Sequence, residues 1–323
     1  MSSRHAIALL RFAVWVSLMA CQRLPPKPEY DETFFGRKPV HAFTIPTPRR
    51  EEPVATVIGS PTIVTVLQGD TLLDIGRWYD VGYEEMAAAN PGIDMWIPRA
   101  GTQVTVPTAF VLPCCTYQGV VINVPELRVY YFRPGPRAGT TSVLTFPAGL
   151  GRDDFKSPRG RFRVVGKTVD PTWTVPERIR REHIREQGDA RRSIPGGAAD
   201  NPLGHYRLEL DRSLYRIHGT AKPWGIGMQV THGCVQLYPE DIEYLFPLVP
   251  IGTPVEFTYQ PVKFGQRDGV TYVEVHPDIY GTNRDPFAAA MRAAQTQRLP
   301  ADRDAIRRAT TAATGVPQPV NRF

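Results

Sequence analysis

The spacing of apolar positions changes repeatedly along the chain, and each change marks a boundary between units. An apolar run, Phe12–Ala20, follows Arg4 and Arg11. It is shorter than the roughly 20 residues a membrane-crossing helix needs, and it has the form of a signal-peptide hydrophobic stretch within residues 1–21. The pattern is then lost. Residues 22–60 hold polar, proline-rich stretches such as RLPPKPEY and IPTPRREEP, which predict a tether because they cannot bury enough apolar surface to order themselves. Within it, TFFGRKPVHAFTIP is able to pack locally as an arm.

A small unit follows at 61–108. Strand-like runs Thr62–Val66 and Thr102–Val106 enclose two helix patterns. Asp70 is placed to cap a helix carrying Leu72, Leu73, Ile75 and Trp78, and Tyr83–Ala89 forms a second helix, stopped by Asn90-Pro91-Gly92. The order is β-α-α-β.

From 117 to 260 the alternation is mostly of period two, with strands at Val120–Val124 and Arg128–Phe132. The second alternates as a hairpin strand with one buried face. A strand carrying Phe162 and Val164 comes next, then a long insertion, 168–203, with one charged helical stretch, Pro176–Glu186. Insertions this long in a compact domain tend to be functional. A hairpin turns at Asp211–Ser213, a helix starts after Pro239 and runs to Phe246, and GTPVEFTY closes the sheet. Residues 261–281 read as a C-terminal strand extension. Residues 282–323 read as two helices with a thin apolar stripe, which either pack on the main domain or stay disordered. The fold class is mainly β, with a small β-α-α-β module and a helical tail.

Composition changes this picture little. The 32 prolines among 323 residues fit a β-rich, loop-rich chain with extended arms. A net charge of +6 suits an acidic polymer, anionic lipid or plain solubility, and no nucleic-acid motif accompanies it. Cysteine use is more informative. Cys114 and Cys115 are neighbours and read as packing residues or a local redox feature, while Cys234 stands alone in THGCVQL. No CxxC or HxxxH spacing offers a metal site.

Cys234 follows His218 by a strand and a glycine-rich turn, YRIHGTAKPWGIGMQVTHGC. A thiol of ordinary pKa is only a few per cent ionised at neutral pH. A neighbouring imidazole can take its proton and later deliver it to a leaving amine. A backbone carbonyl suffices to orient the ring. Gly233 lacks a Cβ, so its N–H and that of Cys234 can together form an oxyanion hole. The set predicts cysteine acyl transfer without metal or organic cofactor.

The pattern His218-Gly219, then Thr231-His232-Gly233-Cys234, resembles the L,D-transpeptidase (YkuD) family of bacterial cell-wall enzymes. The likeness extends through VVINVPELRVYYF, SPRGRF, IPGGAADNPLGHYRL and PEDIEYLFPLVPIGTPVEF, and is nearest to enterobacterial periplasmic enzymes that attach Braun's lipoprotein to peptidoglycan. It implies a YkuD-type β-sandwich at 117–260, Cys234 as nucleophile, His218 as base and Gly219 as the residue whose carbonyl orients it. His232, Gly233 and Cys234 would shape the oxyanion pocket, with His232 equally open to a structural role. Thr231, Gln236, Tyr206 and Trp224 would contact substrate. Gln236 departs from the family, which usually has Arg or Asn there; an amide keeps hydrogen bonding but loses a charged fork.

The same resemblance implies peptidoglycan stem peptides as donors, and carbapenem sensitivity. The acceptor would be a diaminopimelate amine, an envelope-protein lysine such as that of a Braun-type lipoprotein, or water. Water would make the enzyme an L,D-carboxypeptidase or a stem–lipoprotein hydrolase, and a catalytically silent peptidoglycan-binding tether is the reading from another class. GDTLLDIGRWYDVGYEEMAAANPG resembles a LysM module, and LMAC resembles a lipobox, implying acylation of Cys21 and a periplasmic enzyme anchored by lipid to the outer membrane.

Overall fold

A computed structural model describes residues 35–47, 55–212, 214–282 and 285–321. The signal-peptide and Cys21 readings, and the first part of the tether, lie outside them. Among the described residues no helix is long and apolar enough to cross a membrane.

The N-terminal segment does not remain a tether throughout. Strand β1 (Ala42–Pro46) forms one edge of a large sheet, and β2 (Ala55–Gly59) enters a second. The reason is apolar burial: Ile45, Val57 and Ile58 all sit in one hydrophobic cluster. Strands β3 (Thr62–Thr65) and β4 (Gln103–Val106) pair antiparallel around helices α1 (Leu72–Trp78) and α2 (Tyr83–Ala89). This is the β-α-α-β order read from the sequence, with one correction. Thr71, not Asp70, caps α1: its hydroxyl accepts the Asp74 N–H at 3.0 Å. Asp70 instead accepts the Leu67 N–H at 2.8 Å and shapes the preceding turn. Asn90 joins helix to strand, donating to the carbonyls of Met86 (2.9 Å) and Thr105 (2.8 Å) and accepting the Thr105 N–H (2.7 Å).

After β5 (Ala109–Val111) the chain builds the main sheet with β6 (Gly119–Asn123), β7 (Arg128–Pro134) and β8 (Thr140–Pro147). The short β9 (Leu150–Gly151) and the long β10 (Gly160–Val169) follow. The insertion contains a small hairpin, β11 (Trp173–Thr174) with β12 (Ser193–Ile194), and helix α3 (Glu177–Gln187). Next come β13 (Tyr206–Leu210), β14 (Arg216–His218), β15 (Gln229–Thr231) and β16 (Val235–Gln236). Helix α4 (Pro239–Leu248) carries proline at its first position, where a missing N–H costs nothing, and β17 (Pro254–Thr258) ends this part. The nine-stranded sheet has the order β1-β8-β7-β6-β17-β10-β13-β14-β16.

The second sheet, with β18 (Val262–Arg267), β19 (Val270–Val275) and β20 (Gln318–Pro319), runs β20-β19-β18-β2-β5. Val121, Tyr130, Phe132 and Val143 of the large sheet meet Val57, Ile58, Phe110 and Val111 of the smaller one. On the opposite face Val120, Ile122, Val129, Tyr131 and Leu144 join the main core. β7 is thus buried on both faces, not on one as its alternation suggested. The tail is ordered too: α5 (Pro286–Thr296) and α6 (Arg303–Ala312) lay Ala290, Ala294, Ile306 and Ala309 against Phe264, Val273 and Val275. Alanines make a thin stripe sufficient because they let the helices approach closely.

Buried charges lock the small module to the main sheet. Arg128, fully buried, donates to both Glu85 oxygens (2.9 and 2.7 Å) and to the Asp80 carbonyl (2.9 Å). Lys38 pairs with Asp80, with Asp241 at 2.7 Å and with Glu240 at 3.3 Å, and Glu240 also takes Arg77 at 2.8 Å. Burial pulls the Lys38 ammonium down, but Asp241, Asp80 and Glu240 outweigh it and hold it above its ordinary range. Removing one partner of such a cluster leaves charge buried and unpaired. Lys38→Met is expected to destabilise the protein by about 3–5 kcal/mol, read as a lower urea midpoint.

Candidate active site

The sheet's far edge sets the site by parity. Arg207 pairs with His218, Leu208 with Ile217 and Glu209 with Arg216 across β13–β14. Ile217 pairs with Val235 and His218 with Gln236 across the parallel β14–β16. Directly paired residues share a face. Leu208, Ile217 and Val235 face the core, so Arg207, Arg216, His218 and Gln236 face away from it. Cys234 stands one residue before β16, beside Arg216.

His218 is 3% exposed, and its Nδ1 meets the Gly219 carbonyl at 2.7 Å. That carbonyl can only accept, so Nδ1 carries the proton and Nε2 has a free lone pair. Burial depresses the imidazole pKa to about 4; the Gly219 carbonyl opposes this, and Arg216 and Arg207 add to it. The ring is therefore neutral at neutral pH, as a general base must be. Gly219 is small for a reason: a Cβ there would lie 3.2 Å from Ile242 of α4.

Cys234 is half-buried, and its thiol rests on the Leu214 carbonyl at 3.8 Å. Burial pushes the thiol up, while the charge and N–H groups of Arg216 favour the thiolate. Thiol and imidazole thus both stand neutral at rest. The turn before Cys234 is tied by Thr231, whose hydroxyl donates to the Cys234 carbonyl (2.7 Å) and accepts the Gly233 N–H (3.1 Å). That corrects one expectation. The Gly233 N–H is committed within the turn, and the Cys234 N–H alone is without a partner among the described residues. Gly233 still has to be glycine, because its φ is +101° and a Cβ would lie 3.3 Å from the Tyr215 ring.

Residues 117–257 match the L,D-transpeptidase catalytic domain, YkuD. The chain is 38% identical over 230 residues to the probable L,D-transpeptidase YbiS of Escherichia coli (strain K12), covering 70% of this chain and 73% of that one. It is 37% identical over 235 residues to the probable L,D-transpeptidase ErfK/SrfK of Salmonella typhimurium, covering 72% and 74%. The chain belongs to the YkuD L,D-transpeptidase family. It is accordingly an enzyme of that family, mostly of strands with some helices.

One residue expected in the transpeptidase cleft faces the core instead. Tyr206 shares its face with Leu208 and packs on Phe246, ring centroids 4.9 Å apart, on the core side. Trp224 is 56% exposed and lines a crevice with Leu72, Tyr83 and Tyr238, at the junction with the small module. His232 turns toward the insertion. Its Nε2 lies 3.2 Å from Glu182 of α3 and 3.2 Å from Arg152, and its ring meets Phe155 edge-on at 4.4 Å. Burial lowers its pKa, with Glu182 opposing. Arg152, Glu182 and Arg216 were missed in the sequence, although Arg216 was findable, two residues before His218 on the same strand face.

Of the described residues, Glu126, Glu274 and His276 cluster closely enough to ligate a metal. The Lys263 ammonium already lies among them, 2.7 Å from Glu126 and 2.6 Å from Glu274. Burial would raise Glu126, but Lys263, His276 and Arg128 bring it down to about 2. This is a neutralised structural cluster beneath the second sheet.

Gly233→Ala is expected to cut transpeptidase activity by roughly 100-fold, because a shifted turn misplaces the thiol. Assays on folded variant, checked by its thermal midpoint, test this.

Proposed function

We propose that the chain is a peptidoglycan L,D-transpeptidase acting through Cys234 and His218. The observation that carries this is the buried neutral imidazole, held by a main-chain carbonyl on the sheet face that Cys234 adjoins. In the first half-reaction the thiol proton passes to His218 Nε2 as Sγ attacks the carbonyl of the diaminopimelate–D-Ala amide. The Cys234 N–H faces the developing oxyanion. Collapse breaks the C–N bond, His218 returns the proton to the leaving amine, and D-Ala departs from a thioester. In the second, an amine loses a proton to His218 and attacks the thioester, and the thiolate leaves and is reprotonated. A diaminopimelate amine gives a stem cross-link; an envelope-protein lysine, as in a Braun-type lipoprotein, gives attachment. No metal or organic cofactor enters either step.

Gly219 is the orienting residue in this scheme, Thr231 and Gly233 shape the turn, and Gln236 faces the substrate side of the sheet. The β-α-α-β unit supports a LysM-like, glycan-holding role, and the LMAC stretch supports acylation of Cys21 and a periplasmic, outer-membrane-anchored protein. A cysteine of this kind should also be acylated by carbapenems. The test mixes the full chain, reduced, with disaccharide-tetrapeptide and reads products by mass spectrometry. Dimer with loss of D-Ala supports transpeptidation. Tripeptide alone supports carboxypeptidation, and no product in the presence of a lysine acceptor counts against the reading.

A further inference from the structure

Arg216 stands out among the charged groups around the nucleophile. It precedes His218 by two residues on β14 and therefore projects from the same face, with Cys234 alongside on the neighbouring strand. It is half-buried. Three other cations around this turn each hold a carboxylate. Arg152 pairs with Asp154 (3.3 Å) and Glu182 (3.2 Å), Lys156 with Asp153 (2.9 Å), and Arg207 with Glu209. Glu209 is the residue opposite Arg216 in the ladder, yet its carboxylate turns away. It bonds Arg207 and lies over Gly166, where a Cβ would come 2.7 Å from Oε2. Arg216 makes no ion pair among the described residues. Gln236, on the same face, is neutral.

A half-buried guanidinium without a counter-charge, next to a nucleophile, is a binding site for an anion. Its N–H groups reach the neutral Cys234 sulfur but no negative charge; desolvating it without a counter-charge costs free energy that a carboxylate recovers, and its planar fork donates to a carboxylate through two parallel hydrogen bonds. In the reaction proposed above, the leaving group is an amino acid whose own carboxylate is one carbon removed from the nitrogen that departs. That carboxylate must lie within a few ångströms of Sγ.

We propose that Arg216 is the anion receptor of this site, binding the free carboxylate of the residue that is released. The assignment rests on the acyl-transfer reading for its substrate, but the presence of an anion receptor at the thiol can be tested without turnover. It makes the enzyme select peptides that end one residue beyond the scissile bond, because a longer stem carries its carboxylate farther from Arg216, and a C-terminal amide carries none.

The test compares two small alkylating agents of nearly equal size, anionic iodoacetate and neutral iodoacetamide. Full-length protein and its Arg216→Gln and Arg216→Lys variants are reacted, and labelling of the Cys234 peptide is timed by mass spectrometry. The expected result is that the iodoacetate-to-iodoacetamide rate ratio falls about tenfold or more in R216Q and is largely kept in R216K. An unchanged ratio in R216Q overturns the proposal. So does an equal loss with both reagents, which would mean that Arg216 serves only the thiolate.

Tetrapeptide and its C-terminal amide are then compared as substrates on the same preparations. Wild type should prefer the free acid by about tenfold or more, and R216Q should lose that preference. A shifted alkylation ratio without any turnover by wild type would keep the anion receptor and remove the transferase reading. Turnover with equal use of acid and amide would keep the transferase and remove the carboxylate assignment.

Discussion

Replacing Cys234 by alanine will abolish acyl transfer, with a loss on the order of 10,000-fold or more, while leaving the fold intact. The magnitude follows from the chemistry. Without Sγ no thioester forms, so the two easier steps become one attack by an external amine on an unactivated amide. The fold should tolerate the change, because Cys234 lies on a half-buried turn held by Thr231 and not by the sulfur. The thiol meets the Leu214 carbonyl at a long 3.8 Å, and the N–H groups of Arg216. Product release from tetrapeptide measures the activity, and an unfolding free energy in urea within about 0.5 kcal/mol of wild type confirms the fold. Residual activity within tenfold of wild type would remove Cys234 as nucleophile.

The second large effect pairs a loss with a gain. His218→Gln should lower kcat/KM by roughly 100- to 10,000-fold, since glutamine cannot carry a proton from thiol to amine. The same change should improve stability in acid relative to wild type. Folding lowers the imidazole pKa from 6.5 to about 4, chiefly through burial. Between those values the unfolded chain binds a proton that the folded chain refuses. The favourable contribution is therefore fully present above pH 6.5 and is lost as pH falls toward about 4, by about 3 kcal/mol. Glutamine does not titrate. Urea midpoints of both proteins at pH 8 and pH 4.5 should show the variant gaining on wild type at the lower value. A difference that does not change with pH would mean that His218 is not held neutral by the fold.

Much of this site was legible in the sequence, and the failures share a cause. His218-Gly219 and Thr231-His232-Gly233-Cys234 are local patterns, and the helices at Tyr83–Ala89 and after Pro239 are local too. Tyr206 was misplaced because its side was never counted. In YRLEL the alternation puts Tyr206 with Leu208 and Leu210 on the core side and Arg207 with Glu209 opposite. The same count along RIH brings Arg216 beside His218. The Gly233 N–H was misassigned because a threonine hydroxyl two residues earlier reaches back to it, and a sequence does not show which donors a turn consumes. Lys38 and Asp241 meet across most of the chain, and no periodicity announces such a contact.

The orientation of His218 has a genetic consequence. Where an aspartate holds a catalytic imidazole, one codon change removes it. Here the acceptor is the Gly219 carbonyl, and every amino acid has a carbonyl. Mutation can delete the imidazole or the thiol, but no substitution deletes the group that aims the ring. It can only be moved, by a side chain at 219 that drives the backbone off Ile242. Deleting side chains one at a time would therefore register the imidazole and the thiol and miss the carbonyl that aims the ring.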